Sequence, residues 1–480
     1  MRILHISAEC YPAAKVGGLG DVVGALPKYL NRAGLSTAVI IPKYKTAWIN
    51  NHRFVPLYRS LLRLRHQHLV FSIEQLIDYD LGFPLIVVDI PGKFDRPGIY
   101  ADAATEIPYA DEVERNICFQ QAVLHWIMQL PQAPEILHCH DHHTALIPFL
   151  IRHAHRFRSL RALPTVFTIH NGAYQGAFSW GREYLLPAFE DGARGLLDWQ
   201  ASINPMATAI KCCWQLTTVS PAYLQELQHK GHGLGPLLRA EADKSLGILN
   251  GIDTKVWDPA EDPLIHQRLN GDLGRYKAAN KAALCEHFAI DPELPIVTFI
   301  GRLAGEKGAD LIPELVGRYL HGHRQATFLV LGSGQPALQD RLRKMRPYFA
   351  PYFDAAIEYN ERLAHQLYAG SDFLLMPSRV EPCGLNQLYA LRYGTVPIVR
   401  STGGLKDSII DISEPEGRGI RFERFDAKEA LVAIHRAVEL FHDKERFERL
   451  RADIIRVDFS WEKSTATYIK IYQQLLRATG

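Results

Sequence analysis

Lys15 stands just before the pair Gly17 and Gly18, where the apolar run "RILHIS" gives way to an amphipathic stretch. A glycine turn entering a helix presents backbone N–H groups and the positive end of the helix dipole, so this turn suits an anion, phosphate first. "GRLAGEKG" (301–308) follows another apolar run and precedes a helical pattern. There Arg302 offers a planar fork and Lys307 a point charge, a combination suited to a diphosphate. In "PSRVEPCGLNQLYALRYGTVPIVRSTGGLKD" (377–407), Glu381 precedes a Cys383-Gly384-Leu385 turn that opens a helix. The N–H groups of that turn would point at an anion, which would repel Glu381. The carboxylate is therefore read as serving sugar hydroxyls or positive charge developing at an anomeric carbon. Gly403 and Gly404 repeat the glycine turn and are read as structural.

"HCHDHHT" (138–144) crowds His, Cys and Asp in a way that invites a zinc reading. Neighbouring residues on a strand point to opposite faces, however, and no second cluster stands at finger-like spacing. His138 and His140 are instead expected on one face of a strand end, with Asp141 at the mouth of a cleft. In "FTIHNGAYQG" (167–176), His170 and Asn171 end a strand and begin a glycine-rich turn, the place where parallel sheets meet substrate. "LVLGSGQPA" (329–337) imitates a dinucleotide fingerprint, with Asp354 and Glu358 about 20 residues on. It lies far from the first βα turn, and hydride transfer leaves the basic loops without a task, so a dehydrogenase is the weaker reading.

The elements that must hold these residues are short apolar runs alternating with helical patterns. They are "RILHIS", "STAVIIP", "PLIVVDI", "EILHCH", "TVFTIH" and "QLTTVS", then "PIVTFIG", "TFLVLG", "AAIEY", "DFLLMP" and "VPIVR". Buried strands alternating with helices predict α/β architecture: two Rossmann-like, doubly wound domains facing across a deep cleft, with ligands at the strands' carboxyl ends. A turn in "LGILNGIDTKVWDP" sets the boundaries at 1–245 and 246–455, and a helix over 456–480, with Ser460 as N-cap, packs back on the first domain. At 480 residues, two domains are the natural expectation. With 54 Lys and Arg against 52 Asp and Glu, the net charge of +2 provides no long-range field for nucleic acid or an anionic membrane, and neither is expected as a partner. Seven scattered cysteines without a CxxC pair, and an amino terminus without a signal-peptide pattern, predict a cytoplasmic protein with reduced thiols.

Taken together, these motifs resemble the bacterial glycogen synthases and plant starch synthases, retaining glycosyltransferases of the GT-B fold. "KVGGLGDVVGALP", "HCHDHHT", "FTIHNGAYQG", "TTVSPAY", "ILNGID", "GRLAGEKG", "PSRVEPCGLNQLYALRYGTVPIVRSTGGL" and "FSW" occur in the family's order along nearly the whole chain. The resemblance implies transfer of glucose from ADP-glucose to the non-reducing end of an α-1,4-glucan such as glycogen, with retention. UDP-glucose, another acceptor, or a non-catalytic glucan-binding homologue are the alternatives. It implies that Lys15, with Gly18, approaches the donor, that Arg302 and Lys307 neutralise its diphosphate, and that His170 and neighbouring Asn171 meet the transferred glucose. Glu381 would hold the glucose hydroxyls; Cys383, Gly384 and Leu385 would make close contacts. Tyr359 would stack on the base, and Asn250, Asp21 and Asp141 would lie nearer glucose or acceptor. No cofactor and no metal are implied, because the cations supply the charge. The chain departs from the family pattern at Val16, at His142 in place of Trp, and at Glu306, Val380 and Asn386. Glu306 sets a negative charge beside Lys307, while Val380 and Asn386 bear on donor preference.

Overall fold

A computed structural model describes residues 1–64, 67–102, 105 and 107–479. The chain forms two compact units: Met1–Val219 with Leu224–Ile248 and Ser464–Gly480, and Ser220–Tyr223 with Leu249–Lys463. These limits differ from the sequence boundaries for identifiable reasons. The strand Ser245–Gly247 hydrogen-bonds into the first sheet, which carries that unit past residue 245. Ser220 Oγ donates to the Pro382 carbonyl at 2.7 Å and Ala222 N–H to Asp407 Oδ2 at 2.8 Å, tying 220–223 to the second unit. Ile252 N–H donates to the Phe459 carbonyl and Trp461 N–H to the Ile252 carbonyl, so 456–463 stay with the second unit as well.

The strands of the first unit are β1 (Arg2–Ile6), β2 (Ser36–Pro42), β3 (Phe54–Arg63), β4 (His68–Leu76), β5 (Leu85–Asp89), β6 (Ile136–His140), β7 (Thr165–Ile169), a ribbon of β8 (Asp198–Trp199) and β9 (Ser202–Ile203), β10 (Gln215–Thr218) and β11 (Ser245–Gly247). Nine of them make one sheet in the order β11-β10-β7-β6-β1-β2-β5-β4-β3. It is parallel except where β4 pairs antiparallel with β3 and β5. β6 and β7 are buried along their whole length, as strands covered on both faces must be. The helix Gly18–Arg32 follows β1 and buries Leu19, Val22, Val23, Leu26, Tyr29 and Leu30, an apolar stripe at helical spacing.

The second unit contains β12 (Ile296–Ile300), β13 (Thr327–Leu331), β14 (Phe353–Ala356), β15 (Phe373–Met376), β16 (Val396–Arg400) and β17 (Ile420–Phe422). They form a parallel sheet in the order β14-β13-β12-β15-β16-β17. Val297, Phe299, Phe328, Val330, Leu374 and Ile398 fill its core. The order matters for chemistry: β12 and β15 are neighbours, so the loops leaving their carboxyl ends, 301–308 and 377–385, lie side by side.

Candidate active site

In the second unit that adjacency joins Lys307 to Glu381. Lys307 Nζ stands 2.6 Å from Glu381 Oε1, and Ser378 Oγ donates to Glu381 Oε2 at 2.9 Å. Glu381 is buried whereas the lysine side chain keeps 30% exposure, so the carboxylate has its partner inside while the lysine end reaches solvent. Arg302, four residues before Glu306, pairs with that carboxylate. Its loop is fixed from behind: Leu303 N–H donates to the Ser333 carbonyl at 2.8 Å, and Gln335 N–H to the Leu303 carbonyl at 2.9 Å. A Cβ on Gly332 would stand 1.9 Å from the Gly301 carbonyl oxygen, so the fingerprint-like glycines serve this loop-on-loop packing.

The turn after Glu381 needs glycine for conformation at Gly384, with φ +72°. Gly403 and Gly404 lie against it; Cβ atoms there would meet the Glu381 and Cys383 carbonyl oxygens at 2.1 and 2.0 Å. Cys383 is buried and burial pushes its thiol up to about 12, which leaves it inert. Leu385 is half-buried beside it. Asn250 hydrogen-bonds Cys383 through its backbone, and its buried Oδ1 has no partner among the described residues. Tyr359 is 84% exposed.

In the first unit, the Lys15 turn is built on a residue that sequence reading missed. Buried Glu9 accepts from Val16 N–H at 2.6 Å and Gly17 N–H at 3.0 Å through Oε2, and from Tyr100 Oη at 2.6 Å through Oε1. Lys15 Nζ bonds Asp21 Oδ1 at 2.7 Å. Burial raises the Asp21 carboxyl above the usual range, and Lys15 opposes that shift. Among the described residues no side chain caps the Gly18–Arg32 helix, and Cβ atoms on Gly17 and Gly18 would meet nothing within 4 Å. Neither glycine is required by packing, so the open space at this helix start is available to a ligand.

Around β6 and β7 the histidines converge. His5 pairs across from His138 in the sheet, and His140 from Thr168. His138 Nδ1 meets Tyr472 Oη at 2.8 Å and Nε2 meets Thr168 Oγ1 at 2.6 Å. His5 Nδ1 lies 3.1 Å from His140 Nε2, and His140 Nδ1 lies 3.0 Å from His170 Nε2. His5, His138 and His140 could by spacing hold a cation. Five of their six ring nitrogens already serve these hydrogen bonds, which accounts for the cluster without a metal. Asp141, at a left-handed φ of 53°, accepts His170 N–H at 2.8 Å and Asn171 N–H at 3.4 Å on one oxygen, and so shapes the turn that carries them. Burial raises its carboxyl to about 7 against those bonds. Glu9 and Ser378 were legible only as polar residues near a motif, and His5 as one histidine in an apolar run.

The starch synthase catalytic domain matches residues 2–240, and a group 1 glycosyl transferase domain matches residues 294–439. A glycogen synthase of Flavobacterium johnsoniae is 44% identical, covering 99% of this chain and 100% of its own. The chain belongs to the glycogen synthase and starch synthase family. A glycogen synthase of Anoxybacillus flavithermus is 36% identical, covering 100% of this chain and 99% of its own. The catalytic domain of starch synthase IV from Arabidopsis thaliana, solved with ADP and acarbose bound, superposes with TM-score 0.87 at 31% identity, covering 99% of both chains. Sucrose-phosphate synthase from Thermosynechococcus elongatus, at 17% identity and TM-score 0.63 over 99% of both chains, shares the GT-B fold. Two of this family member's departures acquire a local explanation. Glu306 pairs with Arg302, and Asn386 Nδ2 donates to the Ile300 carbonyl at 2.7 Å, closing the end of β12. Nothing in the structure explains Val380.

Proposed function

We propose that the protein elongates an α-1,4-glucan by transferring glucose from ADP-glucose with retention of configuration. The observation that carries this reading is the Lys307–Glu381 pair at 2.6 Å. An ammonium has three donors, so Lys307 can keep Glu381 while donating to a phosphate oxygen. With one oxygen on Lys307 and the other on Ser378, Glu381 is held as an acceptor for sugar hydroxyls rather than freed as a nucleophile. The bond from the anomeric carbon to the diphosphate breaks and a bond to the acceptor hydroxyl oxygen forms on the same face. The acceptor proton leaves with the diphosphate.

Arg302 and Lys307 neutralise the charge that develops on the departing diphosphate, a role that divalent cations fill elsewhere. Lys15 and the open N–H groups at Gly18 suit the donor's anionic part, and His170, with Asn171 beside it, suits the glucose. Asp21 and Asp141 orient Lys15 and the His170 turn. In this reading Tyr359 meets the base, and Asn250, Cys383, Gly384 and Leu385 line the donor. The partners are ADP-glucose and glycogen or a related glucan. No helix among the described residues is long and apolar enough to cross a membrane. The seven buried free cysteines suit a reducing compartment, and we place the enzyme in the cytoplasm.

Incubation with glycogen and either ADP-glucose or UDP-glucose, with and without EDTA, tests the reading. The expected result is ADP release, new α-1,4 linkages and no loss of rate in chelator. Release from UDP-glucose alone reassigns the donor, no release from either removes the proposal, and dependence on metal removes the cationic role given to Arg302 and Lys307.

A further inference from the structure

The row of imidazoles leading to His170 can run in one of two directions. This step rests on the proposed contact of His170 with the transferred glucose. The row runs His5, His140, His170 with nitrogen separations of 3.1 and 3.0 Å. Burial pushes His5 and His170 down to about 3 and His140 well below the ordinary histidine value, so all three rings are neutral at neutral pH. A neutral imidazole carries one N–H and one bare nitrogen. Each ring that receives a hydrogen bond at one nitrogen must therefore donate from the other, and the row admits two directions.

Its inner end decides between them. Among the described residues, His5 Nε2 is buried without a partner. If the row ran inward from His170, that nitrogen would carry a buried proton with no acceptor, the costlier form of an unsatisfied group; run outward, it is only a bare lone pair. His5 Nδ1–H then donates to His140 Nε2, and His140 Nδ1–H donates to His170 Nε2. The proton of His170 sits on Nδ1, which has no hydrogen-bond partner among the described residues. We infer that His5 and His140 are positioning residues that hold His170 as its Nδ1–H tautomer, so that it meets the sugar as a hydrogen-bond donor.

Nitrogen-15 NMR of protein labelled at the histidine ring nitrogens reads this directly, with the His170 signals assigned by their loss in His170→Ala. Wild type should show a protonated Nδ1 and a bare Nε2 on His170. His140→Asn, whose amide N–H stands where Nδ1–H stood, should keep that pattern, and His140→Leu should give a mixture. In parallel, His140→Leu should lower kcat about tenfold, the worth of one hydrogen bond, at unchanged donor KM, and His140→Asn should restore most of it. Wild-type His170 protonated on Nε2, or an unchanged pattern in His140→Leu, overturns the inference. A tautomer shift without a change in kcat leaves the row standing and removes His170 from the transfer itself. Should the His140 variants fail to fold, His5→Leu and His5→Asn repeat the comparison one ring further back, and the wild-type spectrum alone still decides the direction.

Discussion

The two units bury polar groups at their strand ends by opposite means. In the first, burial strips the charge from His5, His138, His140 and His170; His5, His140 and His170 hydrogen-bond one another in a row, and His138 is held by Tyr472 and Thr168. In the second, Glu381 stays paired with Lys307, and Arg302 with Glu306. A neutral row costs little desolvation and transmits only the direction of its protons. A paired charge costs more to bury, but its cation can be shared with an arriving anion. On the proposed reading, the difference assigns orientation to the first unit and charge compensation to the second.

That contrast can be broken, most severely at the ion pair. Glu381→Ala or Lys307→Ala should lower kcat about a hundredfold or more, the loss expected for one electrostatic contact to a transition state. Nucleoside diphosphate release at saturating donor, beside a melting curve showing the fold intact, checks it; near-normal turnover in either variant would remove the charge-compensating role.

Acid should attack the neutral row. His5 and His170 fall from 6.5 to about 3 in the folded state, and His138, His140 and His143 are also lowered, so the unfolded chain binds more protons in that window. Stability is then complete above 6.5 and is lost as pH falls toward 3. Asp141, raised from 3.8 to about 7, acts oppositely, because its folded state holds the proton longer. Melting temperature should therefore drop on acidification by several degrees, less steeply in His5→Leu and more steeply in Asp141→Asn. Parallel curves for all three proteins would contradict the neutral row.

Glu9→Ala sharpens the same contrast from the side of the first turn. It deprives Val16 N–H, Gly17 N–H and Tyr100 Oη of their acceptor, at about 1–3 kcal/mol. A lowered melting point together with a raised donor KM is expected; a lowered melting point alone would make Glu9 a folding residue only. The smallest effect belongs to Glu306→Gln, which releases Arg302 from an exposed pair worth about 0.2–1 kcal/mol. Donor KM should fall by up to about fivefold, and an unchanged KM would show that Arg302 already serves the donor in the wild type.

Much of the fold was legible because parallel strands covered on both faces read as continuous apolar runs, as "TVFTI" and "TFLVL" do. The antiparallel pair β3 and β4 was not, since "FVPLYRSLLR" leaves most of its side chains at least partly exposed and carries Pro56 and Arg59 within the strand. The charged residues of the site announced themselves by position after a strand. Their partners did not: His5 and His140 lie 135 residues apart and meet only because β6 lies beside β1, while Lys307 and Glu381, 74 apart, meet because β15 lies beside β12. Spacing along the chain records which residue ends a strand, but the order of strands in the sheet decides what it touches.

One contact also has a consequence for biosynthesis. Tyr472, on the helix Trp461–Thr479, hydrogen-bonds His138, which precedes it by 334 residues. A ribosome delivers His138 long before Tyr472, so in the nascent first unit His138 Nδ1 waits for its partner while the whole second unit is translated. Its last packing step is then post-translational, and a truncation removing Tyr472 leaves an early-made domain unfinished.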